Sequence, residues 1–160
     1  MKNIFMIMGI ILFQMLFSQS KTGTDLVFRS QSNFSETLNQ LRQILKEKEI
    51  KIFAEIDHSQ AAKEVGMELK PATVFIVGNP KAGTPIMQED IYAAIELPLR
   101  ILVAESSGEV RLIYQRVSPL AEAYYLHNSK VRLKTIDTNI EKLLSAYFSK
   151  IEPNLQGRIK

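Results

Sequence analysis

Four consecutive apolar residues, Val74-Phe75-Ile76-Val77, run straight into Gly78-Asn79-Pro80-Lys81-Ala82-Gly83-Thr84-Pro85, the segment richest in turn residues. A run so short and so bounded is a strand, and a strand points successive side chains to opposite faces. Both faces of this one are apolar, which places it inside a sheet with a neighbour on each side. The rest of the chain must supply those neighbours. It must do so without disulfides, metal–thiolate sites or thiol chemistry, because there is no cysteine among its 160 residues.

The neighbours are legible as periodicities. Residues 26–30 read as a first strand, and Asn33 with Glu36 forms a capping box for a helix whose apolar residues Phe34, Leu38, Leu41 and Leu45 recur at helical spacing. Ile50, Ile52, Ala54 and Ile56 alternate with Lys51, Phe53, Glu55 and Asp57, the pattern of a half-buried strand, and His58 has the parity of its buried set. Residues 59–65 allow a short helix stopped by Gly66. Residues 87–95 suggest another, ending before Leu97-Pro98. Residues 99–105 and 110–116, joined through Ser106-Ser107-Gly108, predict a hairpin. Ser118-Pro119 opens a helix through Tyr124, and a second capping box at Thr138 and Glu141 predicts a long C-terminal helix carrying Ile140, Leu143, Leu144, Tyr147, Phe148 and Ile151 on one stripe. Lys130, Arg132 and Lys134 alternate with Val131 and Leu133, which reads as a cationic strand edge.

Ahead of the first strand, Met1-Lys2-Asn3 precedes an apolar run over residues 4–17 and then Ser18-Gln19-Ser20. A short basic region, an apolar core and a small-x-small site form a secretory signal peptide over residues 1–20, and the run is short of the roughly 20 residues that a bilayer crossing takes. The expected product is periplasmic or extracellular, with no stable membrane anchor after cleavage. Residues 21–152 are then one α+β domain and residues 153–160 a tail. Cleavage removes Lys2 and no acid, leaving 19 basic against 17 acidic residues. So balanced a surface predicts no nucleic-acid partner, which would show as a concentrated basic face.

Three segments in this order carry a resemblance: Phe34-Ser35-Glu36-Thr37-Leu38, then Glu55-Ile56-Asp57-His58-Ser59-Gln60-Ala61-Ala62, then residues 74–85 followed by Leu97-Pro98-Leu99. Together they resemble the domain-of-unknown-function 302 family over roughly residues 30–118. The resemblance implies a fold similar to TATA-box-binding protein, β-α-β(4)-α, with an antiparallel curved sheet and helices packed on one face. It implies no established activity, and the likeness to a DNA-binding fold does not carry DNA binding with it.

Two candidate sites stand out. Asp57 and His58, at a strand end, could form an acid–base pair in which the carboxylate fixes the imidazole tautomer, although adjacent strand residues point to opposite faces. The alternative makes Asp57 a helix cap and His58 the occupant of a polar niche under the sheet. The second candidate, residues 78–85, offers backbone amides for an anion or carboxylate, or else simply reverses a central strand. It lacks the lysine and hydroxyl residue of a phosphate-binding P-loop. His58, Gly78, Asn79, Lys81, Gly83 and Thr84 are the expected ligand-binding residues. His127 and Met87 could join His58 at a haem or soft metal, but without an attachment motif no metal and no cofactor is expected. The leading expectation is a non-catalytic module for a small ligand or protein partner in the groove between sheet and helices. The alternatives are an enzyme using Asp57 and His58 with amides from residues 78–85, and a structural or stress-related homodimer joined through an apolar patch on the sheet or the Tyr124-Tyr125 surface.

Overall fold

The computed structural model describes residues 25–151; the signal-peptide reading at residues 1–20 and the tail at 153–160 lie outside them. In chain order the elements are β1 (Asp25–Arg29), α1 (Phe34–Glu47), β2 (Lys51–Asp57), α2 (His58–Glu64), β3 (Ala72–Gly78), α3 (Pro80–Glu89), a 3-10 helix (Ile91–Glu96), β4 (Leu99–Ser106), β5 (Glu109–Gln115), α4 (Leu120–Ala123), α5 (Lys130–Ser145) and β6 (Ser149–Ile151). The strands form one open antiparallel sheet in the order β2-β3-β4-β5-β1-β6. The β-α-β(4)-α order is present, with short helices between strands and a sixth strand added at the end.

β3 lies inside the sheet between β2 and β4, as its two apolar faces require. Phe75 and Val77 point into one core that also takes Phe28, Ile101, Leu112 and Tyr114 from the other strands and Leu41, Leu45, Leu133 and Leu144 from the helices. α1 starts as its sequence predicts: Asn33 Oδ1 accepts the Glu36 amide at 2.9 Å, satisfying one of the free donors of the first turn.

Four local expectations need correction. β2 is the sheet's edge and is exposed along most of its length; a register shift between Ile52 and Ala54 pairs Ile52 with the buried Val77 but Ile56 with Val74 of the opposite face, so Ile56 is 44% exposed. α3 begins at Pro80, several residues before the helix start expected from the sequence. Asn79 caps it by accepting the Lys81 amide, and Pro80 occupies a first-turn position where a missing N–H costs nothing. The expected helix over 87–95 is interrupted at Asp90, whose carboxylate accepts the Tyr92 amide and starts the 3-10 helix. α5 begins at Lys130, so the residues read as a cationic strand edge are its first turns. Thr138 is not a cap there: its hydroxyl donates to the Lys134 carbonyl one turn back. Ile151 leaves the helix to pair with Val27 in β6.

One polar group is locked into this core. Asp137 of α5, 6% exposed, accepts from the Tyr114 hydroxyl at 2.7 Å, the Val117 amide at 2.8 Å and the Ser118 amide at 2.9 Å. The brace fixes α5 to the end of β5. Burial first, and then the bond to Asp137, pushes the pKa of the Tyr114 hydroxyl upward, so it stays a donor at any ordinary pH.

Candidate functional site

The sheet register separates the two candidate sites. Lys51 pairs with Gly78 at one end of the β2–β3 ladder, and Asp57 pairs with Thr73 at the other. Six residues at ~3.3 Å each put about 20 Å between them. Asp57 and His58 therefore do not meet the residues 78–85, and the combined site expected in the groove is not assembled.

At the Asp57 end the carboxylate is already engaged. Asp57 Oδ1 accepts from the Ser59 hydroxyl and, at 2.9 Å, from the Gln60 amide, capping α2. The Ser59 bond, followed by that from Gln60, holds the Asp57 carboxyl below its ordinary pKa. His58 is the first residue of α2 and exposed; it occupies no niche under the sheet, because the register shift between Ile52 and Ala54 moves its parity, with that of Ile56, to the face opposite the core, and the chain then turns into the helix. Nothing in this arrangement has Asp57 fixing an imidazole. His127 is exposed as well, and among the described residues no three His, Cys, Asp or Glu side chains gather where they could hold a metal.

The Gly78 end is different. Here the last residues of β3, the first turns of α3, the start of β4 and the middle of α5 enclose an open-mouthed cavity of about 460 Å³. Gly78 forms part of the wall between Phe53 and Pro98: a Cβ added to it would lie 3.5 Å from Pro98 Cβ and 3.6 Å from the Phe53 ring. Phe53 reaches this point because the ladder shifts register between Ile52 and Ala54, a bulge that leaves Phe53 without a paired partner on β3. The Lys51 ammonium lies 4.8 Å from the centre of the Phe53 ring. Asn79, Pro80, Ala82, Gly83, Thr84 and Met87 line the α3 wall, Leu97, Pro98 and Leu99 the β4 wall, and Ile136, Asn139 and Ile140 the α5 wall; Ile50 closes the side.

Of the expected ligand-binding residues, Gly78, Asn79, Gly83 and Thr84 line the cavity, whereas Lys81 and His58 do not. The amides expected to bind an anion do not form an open loop. Those of Ala82 and Gly83 donate to the Asn79 carbonyl at 2.9 and 3.0 Å, and that of Lys81 to the Asn79 side chain. The residues missed by sequence reasoning are the α5 wall and Phe53. Ile136 and Ile140 were visible as an i, i+4 pair, a signal shared with every core-facing helix; the bulge leaves no trace in the alternation of β2. Among the described residues no charged side chain lines the cavity, and its polar side chains are those of Asn79, Asn139 and Thr84, two amides and one hydroxyl.

The chain matches the family described as Domain of unknown function DUF302 over residues 26–147. It is similar to the fluoride-specific ion channel FluC 1 of Brucella suis, 33% identical over 111 residues that make up 68% of this chain and 44% of that protein. FluC 1 of Brucella abortus matches at the same identity over 68% of this chain and 41% of the channel. The chain thus spans less than half the length of the curated relatives it matches, and no helix among its described residues is long and apolar enough to cross a membrane. A solved structure of an uncharacterized conserved DUF302 protein from Bacillus stearothermophilus shares the fold, with a TM-score of 0.63 at 20% identity over 77% of this chain and 94% of that one.

Proposed function

Because the chain belongs to the domain-of-unknown-function 302 family, which names a domain and no activity, we propose its role from the cavity: an exported, non-catalytic module that holds a small, uncharged and mainly apolar ligand at the Gly78 end of the sheet. The observation that carries this reading is the lining. A cavity of about 460 Å³ falls within the ~300–1,000 Å³ typical of small-molecule sites, which are apolar with a few polar groups that set orientation. Aliphatic and aromatic side chains supply the burial, and Asn79, Asn139 and Thr84 supply one or two hydrogen bonds. A charged ligand would be desolvated here with no countercharge. The fluoride in the relatives' names is not carried over for that same reason.

Export rests on Lys2, the apolar run and the small-x-small site at residues 18–20. N-terminal sequencing of the protein from its host's extracytoplasmic fraction checks it: the expected sequence starts near Lys21, and an intact Met1 refutes export.

The ligand reading is tested with Nile red, an uncharged apolar dye, titrated against the purified protein. Saturable fluorescence enhancement that Gly78→Leu reduces at least ~10-fold is expected, since the new side chain enters the cavity between Phe53 and Pro98. No saturable binding, or binding that Gly78→Leu leaves unchanged in a folded variant, sinks the proposal. Native mass spectrometry of protein purified from its host then reads out the natural ligand as added mass.

A further inference from the structure

The three polar side chains that line the cavity at the Gly78 end are not equivalent. Asn79 Oδ1 accepts the Lys81 amide at 2.9 Å and so caps α3. The Asn79 backbone carbonyl accepts the amides of Ala82 and Gly83 at 2.9 and 3.0 Å. Both oxygens of this residue are thus turned toward its own helix, and the first amides of α3 are used up on them. What remains is the side-chain NH2, a pair of N–H donors with no partner among the described residues. Thr84 and Asn139 make no side-chain hydrogen bond among the described residues, and each can either donate or accept. No bond commits them to one sense. Asn79 alone meets a ligand with its role already decided, because the cap that starts α3 fixes the orientation of its amide.

We infer that the ligand carries a neutral carbonyl oxygen, as in a ketone, an ester or an amide, on an otherwise apolar body, and that Asn79 selects it by donating from Nδ2. This rests on the cavity being a ligand site and gives that ligand a chemical class. A pure hydrocarbon would strip water from the Asn79 NH2 and return nothing in its place, which penalises it against a carbonyl compound of the same shape. A ligand that can only donate finds both Asn79 oxygens taken. A carboxylate could accept the bond, but it would bring a charge among walls where no described residue supplies a cation. Pro80 and Pro98, which stand in those walls, have no N–H to offer as a rival donor. Because the cap already holds the Asn79 side chain, little conformational freedom is lost when the carbonyl binds.

A matched pair of fluorescent probes tests this: prodan, an uncharged naphthyl ketone, and its analogue with a CH2 in place of the carbonyl, each titrated against the purified protein. Asn79→Asp keeps the shape and the capping oxygen but removes the donor, and Asn79→Ser keeps a capping oxygen on a shorter arm without adding a charge. Both variants should melt close to the wild type. Each should weaken prodan binding by about 5-fold, the size that one neutral hydrogen bond supports, and leave the affinity of the analogue within ~2-fold. Equal losses for the two probes, no loss for prodan, or a loss confined to Asn79→Asp, which would report charge and not the missing donor, overturns the inference. If both probes bind and Gly78→Leu weakens both, while the Asn79 variants do not separate them, selection by Asn79 is wrong and the cavity remains the binding site. If neither probe binds saturably, the ligand site and its selectivity are refuted together.

Discussion

The two ends of the β2–β3 ladder look alike in sequence and differ in what they can do. Each joins a strand to a helix through a polar cap, Asp57 at one end and Asn79 at the other, and each cap binds an amide within the following turn. Yet the Asp57 end is exposed, whereas the Asn79 end walls a cavity. The difference comes from a distant part of the chain. α5 crosses over the Gly78 end with Ile136, Asn139 and Ile140, and no buried helical residue follows Asp57, since α2 buries none of its side chains. A strand end becomes a site when a second layer is laid over it; cap chemistry alone leaves it a surface turn.

The largest effect that would sharpen this contrast comes from loosening that layer. Asp137→Ala removes the acceptor of three hydrogen bonds and leaves the Tyr114 hydroxyl and two amides without partners in the core. It should cost about 3 kcal/mol or more of stability, seen as a fall in thermal midpoint, and should weaken Nile red binding in parallel. A variant that keeps full stability would show that α5 is held over the site by other means.

Next in size is the Asp57 cap. Asp57→Ala should cost roughly 1 kcal/mol in urea melts and leave dye binding unchanged. Its pH dependence follows from the direction of the shift. The Ser59 and Gln60 bonds depress the folded-state pKa of Asp57, so its stabilisation is fully present above the unfolded-state pKa and is lost as pH falls through the folded-state value. Wild type and Asp57→Ala should accordingly differ most near neutral pH and converge in acid. A difference that grows in acid contradicts this account.

The smallest effect belongs to His58. Exposed at the start of α2 and remote from the cavity, His58→Ala should change stability by less than about 0.5 kcal/mol and leave dye affinity where it was. A measurable loss of affinity would join the two ends functionally and break the comparison.

How much of this could be read from the chain depends on the range of the interaction concerned. β3 announced itself through Val74 to Val77, and α1 through Asn33, Glu36 and the leucines behind them, because strand alternation and capping are decided within a few residues. The Gly78 wall was visible for the same local reason. What could not be read was decided at long range. β2 alternates like a half-buried strand and became the exposed edge, since neither pairing order nor the bulge is written in its own pattern. Asp57 and His58 are followed by α2 and β3 before residues 78–85 begin, and the antiparallel register sets the two candidates at opposite ends of the β2–β3 ladder. Thr138 and Glu141 form a capping pattern that α5 runs straight through: Leu133 and Asp137, one and two turns into the helix, already make contacts in the core that reward starting it at Lys130.

The bulge at Phe53 bears on how such a domain could diversify. It adds one residue to an edge strand without disturbing the core, and it is that residue which meets Gly78 at the cavity wall. Losing a single codon there would restore an unbroken ladder and draw the aromatic ring away from the cavity. Lineages carrying this domain could thus alter the shape of the ligand they accept through one short deletion at the sheet's margin, while the residues that make the protein fold go untouched.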